Sequence, residues 1–309
     1  MVYVRKESMM LYFTISLQEV DFDSIPIIEL STLNSRSIQE RQKLADSVRR
    51  ACIEVAREFF ALSEEQKIEC YLAKSKNFRG YSPLYGEKPD TRKGPDDPPP
   101  RDEYGLHGEN QWPDQRLLPG FRKVYLEYFS QALELARKLI RILALALDQE
   151  ENFFDSAVEY PGVASRMLHC PPQPVEGQGI LGQAAHTYRE CFTILAQDRV
   201  PALQVLNNQG HWIAAPPIPG TLVVNIVDCL ATLSHHRSKS TIHRVVNLTG
   251  EERYSIPLFF GVECNTRISV LENTGSDENS PCKKAIHSGR TDSRQYVLRK
   301  LSKACSGYD

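Results

Sequence analysis

The strongest constraint in this sequence is a change of hydrophobic pattern near Pro161. Upstream, apolar residues recur every three or four positions, whereas downstream they form short runs bounded by turn-forming residues. The downstream runs are predicted strands, at 163–169, 191–196, 202–206, 211–214, 221–227, 243–247, 253–260 and 267–270. Short strands without intervening helices favour a barrel or a two-sheet jelly roll.

The upstream part is predicted to be mainly helical. Residues 121–147 carry a long apolar stripe after Pro119-Gly120, and residues 37–74 show the same spacing, which indicates one helix or a helix pair. A strand is predicted at 24–30, and the proline-rich stretch 88–102 is predicted to be a loop. The fold class is therefore mainly β with N-terminal helices.

Charge and composition narrow the function classes. Lysine and arginine number 37 against 39 acidic residues, which gives a net charge of −2. The sequence therefore has no excess of basic residues of the kind that binds nucleic acid or an anionic membrane. The chain has no apolar run of the length of a spanning helix, and Met9–Ile15 does not read as a complete signal peptide. The 8 cysteines form no C-x-x-C pair. We expect a cytoplasmic protein with reduced thiols.

Four polar residues in the predicted strands could carry chemistry. His186 and His243 lie in strand-like surroundings, and strand alternation places Arg253 and Ser255 on one face. A guanidinium beside a hydroxyl suits the bidentate grip of a carboxylate. The alternative is that each histidine is a hydrogen-bonded core or surface residue and that Arg253 makes a structural ion pair.

A family resemblance bears on these alternatives. It is carried by a series of segments in the family's order: Ile25-Pro-Ile-Ile-Glu-Leu-Ser31, Phe59-Phe-Ala-Leu-Ser-Glu-Glu-Gln-Lys67, Arg79-Gly-Tyr81, Asn110-Gln-Trp-Pro113, Cys191-Phe-Thr-Ile-Leu-Ala-Gln-Asp198, Ala215-Pro-Pro-Ile-Pro-Gly-Thr221, Val224-Asn-Ile226, Lys239-Ser-Thr-Ile-His-Arg-Val-Val-Asn247 and Arg253-Tyr-Ser-Ile-Pro257. The chain resembles the isopenicillin N synthase-like family of Fe(II)/2-oxoglutarate-dependent dioxygenases, most of all its fungal members of secondary or nucleobase metabolism.

The resemblance implies a fold and a division of the chain. The family core is a double-stranded β-helix, a jelly roll, supported by N-terminal helices. Residues 1–150 would form a shortened N-terminal helical region, 151–272 the jelly-roll core, and 273–309 a tail and helix packed on that core.

The resemblance also implies roles. His186 and His243 match metal ligands, while Arg253 and Ser255 match the pair that holds the far carboxylate of 2-oxoglutarate. Two imidazoles and a carboxylate on one face of Fe(II) leave positions for the 2-oxo acid and O₂. The implied function is hydroxylation or desaturation of a small molecule.

The chain departs from the family at the third metal ligand. The family carboxylate comes two residues after His186, where this sequence has Tyr188, whose phenol must lose a proton to bind a metal. Glu190 shares the strand parity of His186 and is the candidate substitute. The rival function is therefore a catalytically impaired or inert relative that binds a ligand or partner.

Two further departures concern structure. A family strand is missing near Val55, which would leave an exposed sheet edge or force a rearranged N-terminal region, and a mis-spliced gene would produce the same gap. Cys170 stands where many relatives have a tyrosine. Among weaker candidates, His235-His236 and Asp198 are interpreted as loop residues, His169 as a packing residue, and Trp112 as part of a turn near the pocket mouth.

Overall fold

The structure is a computed structural model. It describes residues 1–5, 27–29, 50–75, 79–83, 109–172, 182–186, 190–227, 230 and 241–262. Several predictions lie outside these residues: the front of the 37–74 helix, the 88–102 loop, Tyr188, His235-His236, the 267–270 strand and the 273–309 tail.

The helices agree with the spacing of apolar residues. Residues 50–60 (α1) are helical, followed by α2 (Glu64–Ile68), a 3-10 turn at Leu72–Lys74, α3 (Phe121–Ala146) and a second 3-10 turn at Asp155–Val158. A capping box between Ser63 and Gln66 starts α2. Within the described ranges, none of the helices combines the length and apolarity needed to span a bilayer.

The strands form two sheets. Their bounds are β1 Val2–Arg5, β2 Ile27–Glu29, β3 Gly162–Ser165, β4 Leu168–Cys170, β5 Gln183–His186, β6 Phe192–Gln197, β7 Leu203–Leu206, β8 Trp212–Ala214, β9 Thr221–Ile226, β10 His243–Val245 and β11 Arg253–Gly261. The major sheet has the order β2-β1-β9-β6-β11-β3, with β4 also paired to β11, and the minor sheet has the order β5-β10-β7-β8. The mainly β fold with a double-stranded β-helix core is confirmed.

Local sequence explains several of these connections. Asn208-Gln209-Gly210 turns β7 back onto β8, and Gly210 has a φ of 80°, which favours glycine. The single strand predicted at 163–169 is two strands in the structure, because Arg166 and Met167 interrupt the strand between β3 and β4. Both strands still pair with β11.

The outer face of the major sheet packs against the helices. Alternate residues of β6 and β11, such as Phe192, Ile194, Ile256 and Phe260, join Ile140 and other α3 residues in the largest apolar cluster. The buried Tyr128 of α3 contributes to this face and donates a hydrogen bond of 3.0 Å to the Ile256 carbonyl oxygen. We call this cluster the outer core.

The inner face of the major sheet looks toward the minor sheet. A smaller apolar cluster fills this space and contains Leu203, Val205, Ala215 and Val223, with Leu195, Ile218 and Val245 packed against it. Since these residues come from β6, β7, β9 and β10, the cluster lies between the two sheets. We call it the interior cluster, and the space around it the barrel interior.

The N-terminal strands extend the major sheet beyond β9. β1 pairs antiparallel with β9, and β2 pairs parallel with β1 on its other side. β9 is therefore not the edge of the major sheet, and the loss of a family strand near Val55 stays a prediction.

Candidate active site

The two predicted metal histidines lie side by side. His186 ends β5, His243 begins β10, and the two are direct partners in the antiparallel pairing of these strands. Their ring centroids are 4.3 Å apart, with an angle of 51° between the ring planes. His243 shares the strand parity of Val245 of the interior cluster, so both rings face the barrel interior.

Both imidazoles are oriented by the backbone. His186 Nδ1 lies 2.6 Å from the Ala184 carbonyl oxygen, and His243 Nδ1 lies 3.2 Å from that of Thr241. A carbonyl oxygen only accepts, so each Nδ1 carries a proton, and in the neutral ring Nε2 then carries the lone pair. Histidine ligands of metals commonly use this arrangement, in which a second hydrogen bond fixes the ring and its tautomer.

The predicted carboxylate-binding pair lies on the opposite sheet. Arg253 is 1% exposed at the start of β11; it donates from Nη1 to Ser255 Oγ and from Nη2 to Gln197 Oε1, each at 2.9 Å. In the part of the chain that the structure describes, the buried Nε of Arg253 has no hydrogen-bond acceptor. Ser255 is 1% exposed beside it.

This guanidinium is a buried charge with few compensating groups. Burial lowers the pKa of Arg253, and nearby Cys170 and Asp198 oppose that shift. Burial in turn raises the pKa of the Cys170 thiol, so the thiol is a weak counter-charge for the cation. An anionic ligand with two oxygens would neutralise Arg253 and match its planar donor array.

Contacts through β4 connect the arginine to the strands that carry the histidines. Cys170 pairs with Arg253 in the β4–β11 ladder. A Cβ placed on Gly182, just before β5, would lie 3.4 Å from Cys170 Sγ and 3.3 Å from Val245 Cγ1. The arginine therefore lies at one end of the interior cluster, near Val245, and His243 lies one pleat farther along β10.

Sequence reasoning missed the roles of Gln197 and Asp198. Gln197 accepts from Arg253, and the buried Asp198 carboxylate accepts from the backbone N–H groups of Tyr254 at 2.6 Å and Val200 at 3.0 Å. Asp198 is therefore an anchor between the end of β6 and the start of β11, rather than a spare metal ligand. Strand alternation in the sequence puts Gln197 on the same face as Leu195. The sequence does not reveal that this face of Gln197 meets Arg253 on β11.

The position of the third metal ligand falls on Tyr188, outside the described residues. Among the residues the structure does describe, no three histidine, cysteine or carboxylate side chains gather closely enough to hold a metal ion. Glu190 lies beside Gly261, whose added Cβ would be 3.8 Å from Glu190 Cβ and Cγ. The structure thus does not bring Glu190 to the histidine pair, and its substitution for the missing carboxylate stays a prediction.

Two other candidates are packing residues. Trp112 stands edge-on to Tyr125 of α3, with ring centroids 5.8 Å apart. His169 stacks on Tyr254 with centroids 4.8 Å apart, on the face of β4 opposite Cys170. The interpretation of His169 as a packing residue is confirmed.

The donor set fits Fe(II) in part. Two neutral imidazoles with aligned tautomers are suitable ligands for Fe(II), and the buried arginine–serine pair suits the far carboxylate of a 2-oxo diacid. This arrangement would place an anionic co-substrate between a metal held by one sheet and the guanidinium of the other.

Comparison with known proteins assigns the family. The sequence profile of the 2OG-Fe(II) oxygenase superfamily matches residues 158–262, and that of the non-haem dioxygenase in morphine synthesis N-terminal domain matches residues 52–115. A 2-oxoglutarate-Fe(II) type oxidoreductase of Aspergillus fumigatus is 34% identical over 274 residues, which cover 76% of this chain and 81% of the relative. Homoarginine-6-hydroxylase 2-ODD-C23 of Glycine max is 32% identical, with 86% of this chain and 95% of the relative covered.

Solved structures give the same result. The crystal structure of a full-length Neurospora crassa protein in complex with alpha-KG superposes with a TM-score of 0.70 at 26% identity, covering 87% of this chain and 92% of the other. The chain belongs to the 2-oxoglutarate–Fe(II) oxygenase superfamily, whose members are oxidoreductases that use Fe(II) and 2-oxoglutarate.

Proposed function

We propose that this chain oxidises a small organic molecule, by hydroxylation or desaturation, with His186 and His243 as metal ligands and Arg253 and Ser255 as the 2-oxoglutarate-binding pair. The observation that carries the proposal is the placement of an oriented imidazole pair and a buried guanidinium on facing sheets of one barrel. Fe(II) with 2-oxoglutarate and O₂ supplies an oxidant that attacks unactivated C–H bonds.

The residues of this chain bind and orient the reactants. Arg253 offers its guanidinium N–H groups to the far carboxylate, and Ser255 Oγ adds a donor beside them. Asp198 holds the backbone at Tyr254 and so fixes the position of Arg253. The backbone carbonyls at Ala184 and Thr241 hold the imidazole tautomers that present Nε2 to a metal.

The relatives support the substrate class without fixing the substrate. One related enzyme is named for homoarginine, and the same Neurospora crassa protein has also been solved with thymine bound. Both are small polar molecules, and several fungal relatives are 2-oxoglutarate-dependent oxidoreductases. We infer a small-molecule substrate of fungal-type secondary metabolism, with no nucleic-acid partner, in a cytoplasmic protein.

Tyr188 supports a second candidate function. A tyrosine at the position of the family carboxylate leaves two imidazoles for the metal, so an inert relative that retains ligand binding is the rival. The same barrel would then bind a 2-oxo diacid through Arg253 without turning it over.

The test is anaerobic Fe(II) titration with and without 2-oxoglutarate, followed by admission of air and measurement of succinate. Stoichiometric, 2-oxoglutarate-dependent Fe(II) binding with succinate release supports the oxygenase. Binding of 2-oxoglutarate without succinate supports the inert relative, and no binding of either overturns both candidates.

Tyr188→Asp sharpens this test because it restores the missing carboxylate. If the remaining site is intact, the substitution should tighten Fe(II) binding by at least about tenfold, in line with the usual contribution of groups around metal sites, and raise succinate formation. Tyr160→Asp, at a 69% exposed surface position, is the matched control. Equal metal affinity in wild type and Tyr188→Asp would contradict the assigned metal site.

A further inference from the structure

A buried carboxamide on β9 has no role in the site described so far. Asn225 is 2% exposed, and among the described residues neither its Oδ1 nor its Nδ2 has a hydrogen-bond partner. Buried polar groups are almost always satisfied, and one that is not destabilises the folded protein. A buried carboxamide without a partner among the described residues is therefore a candidate group for binding a ligand.

Strand alternation aims Asn225 into the barrel interior. It lies two residues beyond Val223 of the interior cluster and pairs across the ladder with Thr193 of β6, which is buried on the same face. The flanking residues Val224 and Ile226 have the opposite parity and pack into the outer core. The carboxamide is thus directed away from the helices and toward the minor sheet.

The strand registers show that Asn225 and the histidine pair both lie on the side of the interior cluster away from Arg253. Val223 pairs with Leu195, while the arginine contact Gln197 lies two residues along β6 at the other end. Moving from Val223 to Asn225 therefore leads away from Arg253. On the minor sheet, moving from Val245 to His243 also leads away from Arg253, because Val245 is the residue near Gly182 and Cys170.

Asn225 and His243 are each one pleat, roughly 6–7 Å, beyond the same interior cluster. Facing sheets in such folds are about 10 Å apart, so a side chain on one sheet reaches a molecule bound to the other. The carboxamide and the histidine pair therefore face the same part of the barrel interior.

We propose that Asn225 is a binding residue for the 2-oxo-acid end of the co-substrate, to which its Nδ2–H group donates a hydrogen bond. The inference rests on the proposed function, in which 2-oxoglutarate extends from Arg253 to a metal on the histidines. Its 1-carboxylate and 2-oxo oxygens accept hydrogen bonds, and a charge-assisted bond to a carboxylate is among the stronger kinds.

The test compares Asn225→Leu with wild type in two measurements: the thermal unfolding midpoint of the metal-free protein and the Kd for 2-oxoglutarate under anaerobic Fe(II). Asn225→Leu removes an unsatisfied buried group, so the unfolding midpoint should be equal or higher. The Kd should rise by about tenfold or more, as expected for a lost hydrogen bond to a charged group. Asn225→Asp keeps the shape, removes the donor and places a negative charge near the carboxylate, so it should weaken binding further.

Asn247→Leu is the matched control. Asn247 is 0% exposed, but its carboxamide donates to the Glu251 carbonyl oxygen and accepts from Thr249. This substitution should lower the unfolding midpoint and leave the Kd of the folded protein within about twofold of wild type, because the hydrogen bonds that it removes join residues within 247–251.

The outcomes separate the two proposals. If wild type binds 2-oxoglutarate and both Asn225 variants bind it equally well, the role of Asn225 is overturned while the proposed function stands. A fall in the unfolding midpoint of Asn225→Leu as large as that of Asn247→Leu also overturns it, since it reveals a structural partner. If wild type binds no 2-oxoglutarate, the proposed function falls, and the inference falls with it.

Discussion

The two faces of the major sheet are built from the same strands but carry side chains of different polarity. On the outer face, Phe192, Ile256 and their neighbours are wholly apolar and pack on α3. On the inner face, the alternate positions include Gln197, Arg253 and Ser255, all polar. A pleated strand with period two thus places side chains of the apolar core and of the proposed binding site at adjacent residues. Substitutions on the outer face should change unfolding, and those on the inner face should change binding.

The largest expected effect is on the outer face. Phe192 is 0% exposed and stacks on Phe260 with ring centroids 5.0 Å apart. Phe192→Ala should lower the free energy of unfolding by about 3–5 kcal/mol, through lost burial and a residual cavity. Phe153→Ala, at a 43% exposed position, is the control and should cost much less in the same denaturant titration. Comparable losses in the two variants would contradict the assigned outer core.

The second prediction concerns the inner face. Arg253→Met should weaken 2-oxoglutarate binding by about 2–5 kcal/mol, because the far carboxylate loses its buried cationic partner. Isothermal titration under anaerobic Fe(II) measures this loss. Arg244→Met is the control, since Arg244 lies over the Trp212 ring and donates to Gln204. An unchanged affinity in Arg253→Met would remove the arginine from the site.

A smaller effect is expected where a helix meets the outer face. Tyr128→Phe removes the hydrogen bond to the Ile256 carbonyl oxygen and leaves that acceptor buried. The free energy of unfolding should fall by about 1 kcal/mol, while 2-oxoglutarate affinity stays at the wild-type value. Tyr160→Phe, on an exposed tyrosine, should change neither quantity. A change in affinity for Tyr128→Phe would show that the two faces are coupled.

The smallest effect is a pH dependence at His169. Burial lowers the pKa of His169 below 6.5 in the folded protein, although Glu252 opposes the shift. Below pH 6.5 the unfolded chain therefore binds the proton more readily, so stability falls as the pH drops from 6.5 toward the lower folded value.

His169→Phe should flatten this part of the curve of unfolding midpoint against pH between 7 and 5. His211→Phe, at an exposed histidine, is the control and should leave the slope as in wild type. A slope that is the same in wild type and His169→Phe would assign the pH dependence to other groups.

The sequence predicted the fold class, and it named four residues of the candidate site. The change of hydrophobic period near Pro161 predicted the strands of the barrel, and the apolar stripe at 121–147 predicted α3. Both patterns could be read because they depend only on residues close together in the chain. The chain order of His186, His243, Arg253 and Ser255 was readable through the family resemblance. β1 was not predicted, because its pairing with β9 is a contact between segments far apart in the chain.

The remaining part of the site depends on strand register. Asp198 looked like a loop carboxylate, but its bonds to the Tyr254 and Val200 backbone make it an anchor. Asn225 lies in the matched segment Val224-Asn-Ile226, but the sequence assigned it no role, because the sheet face of a strand asparagine is known only once the register is known. Such contacts join residues that are far apart in the chain, so they follow from tertiary structure.

The amino-acid sequence by itself determined which segments are strands or helices and which side chains share a face, since both follow from residue type and period. The tertiary structure decided which faces meet: it paired His186 with His243, set Arg253 against Gln197 and Cys170, and enclosed Asn225. The physical reason is that hydrophobic burial is non-directional, whereas the register of a closed barrel is a property of all its strands together.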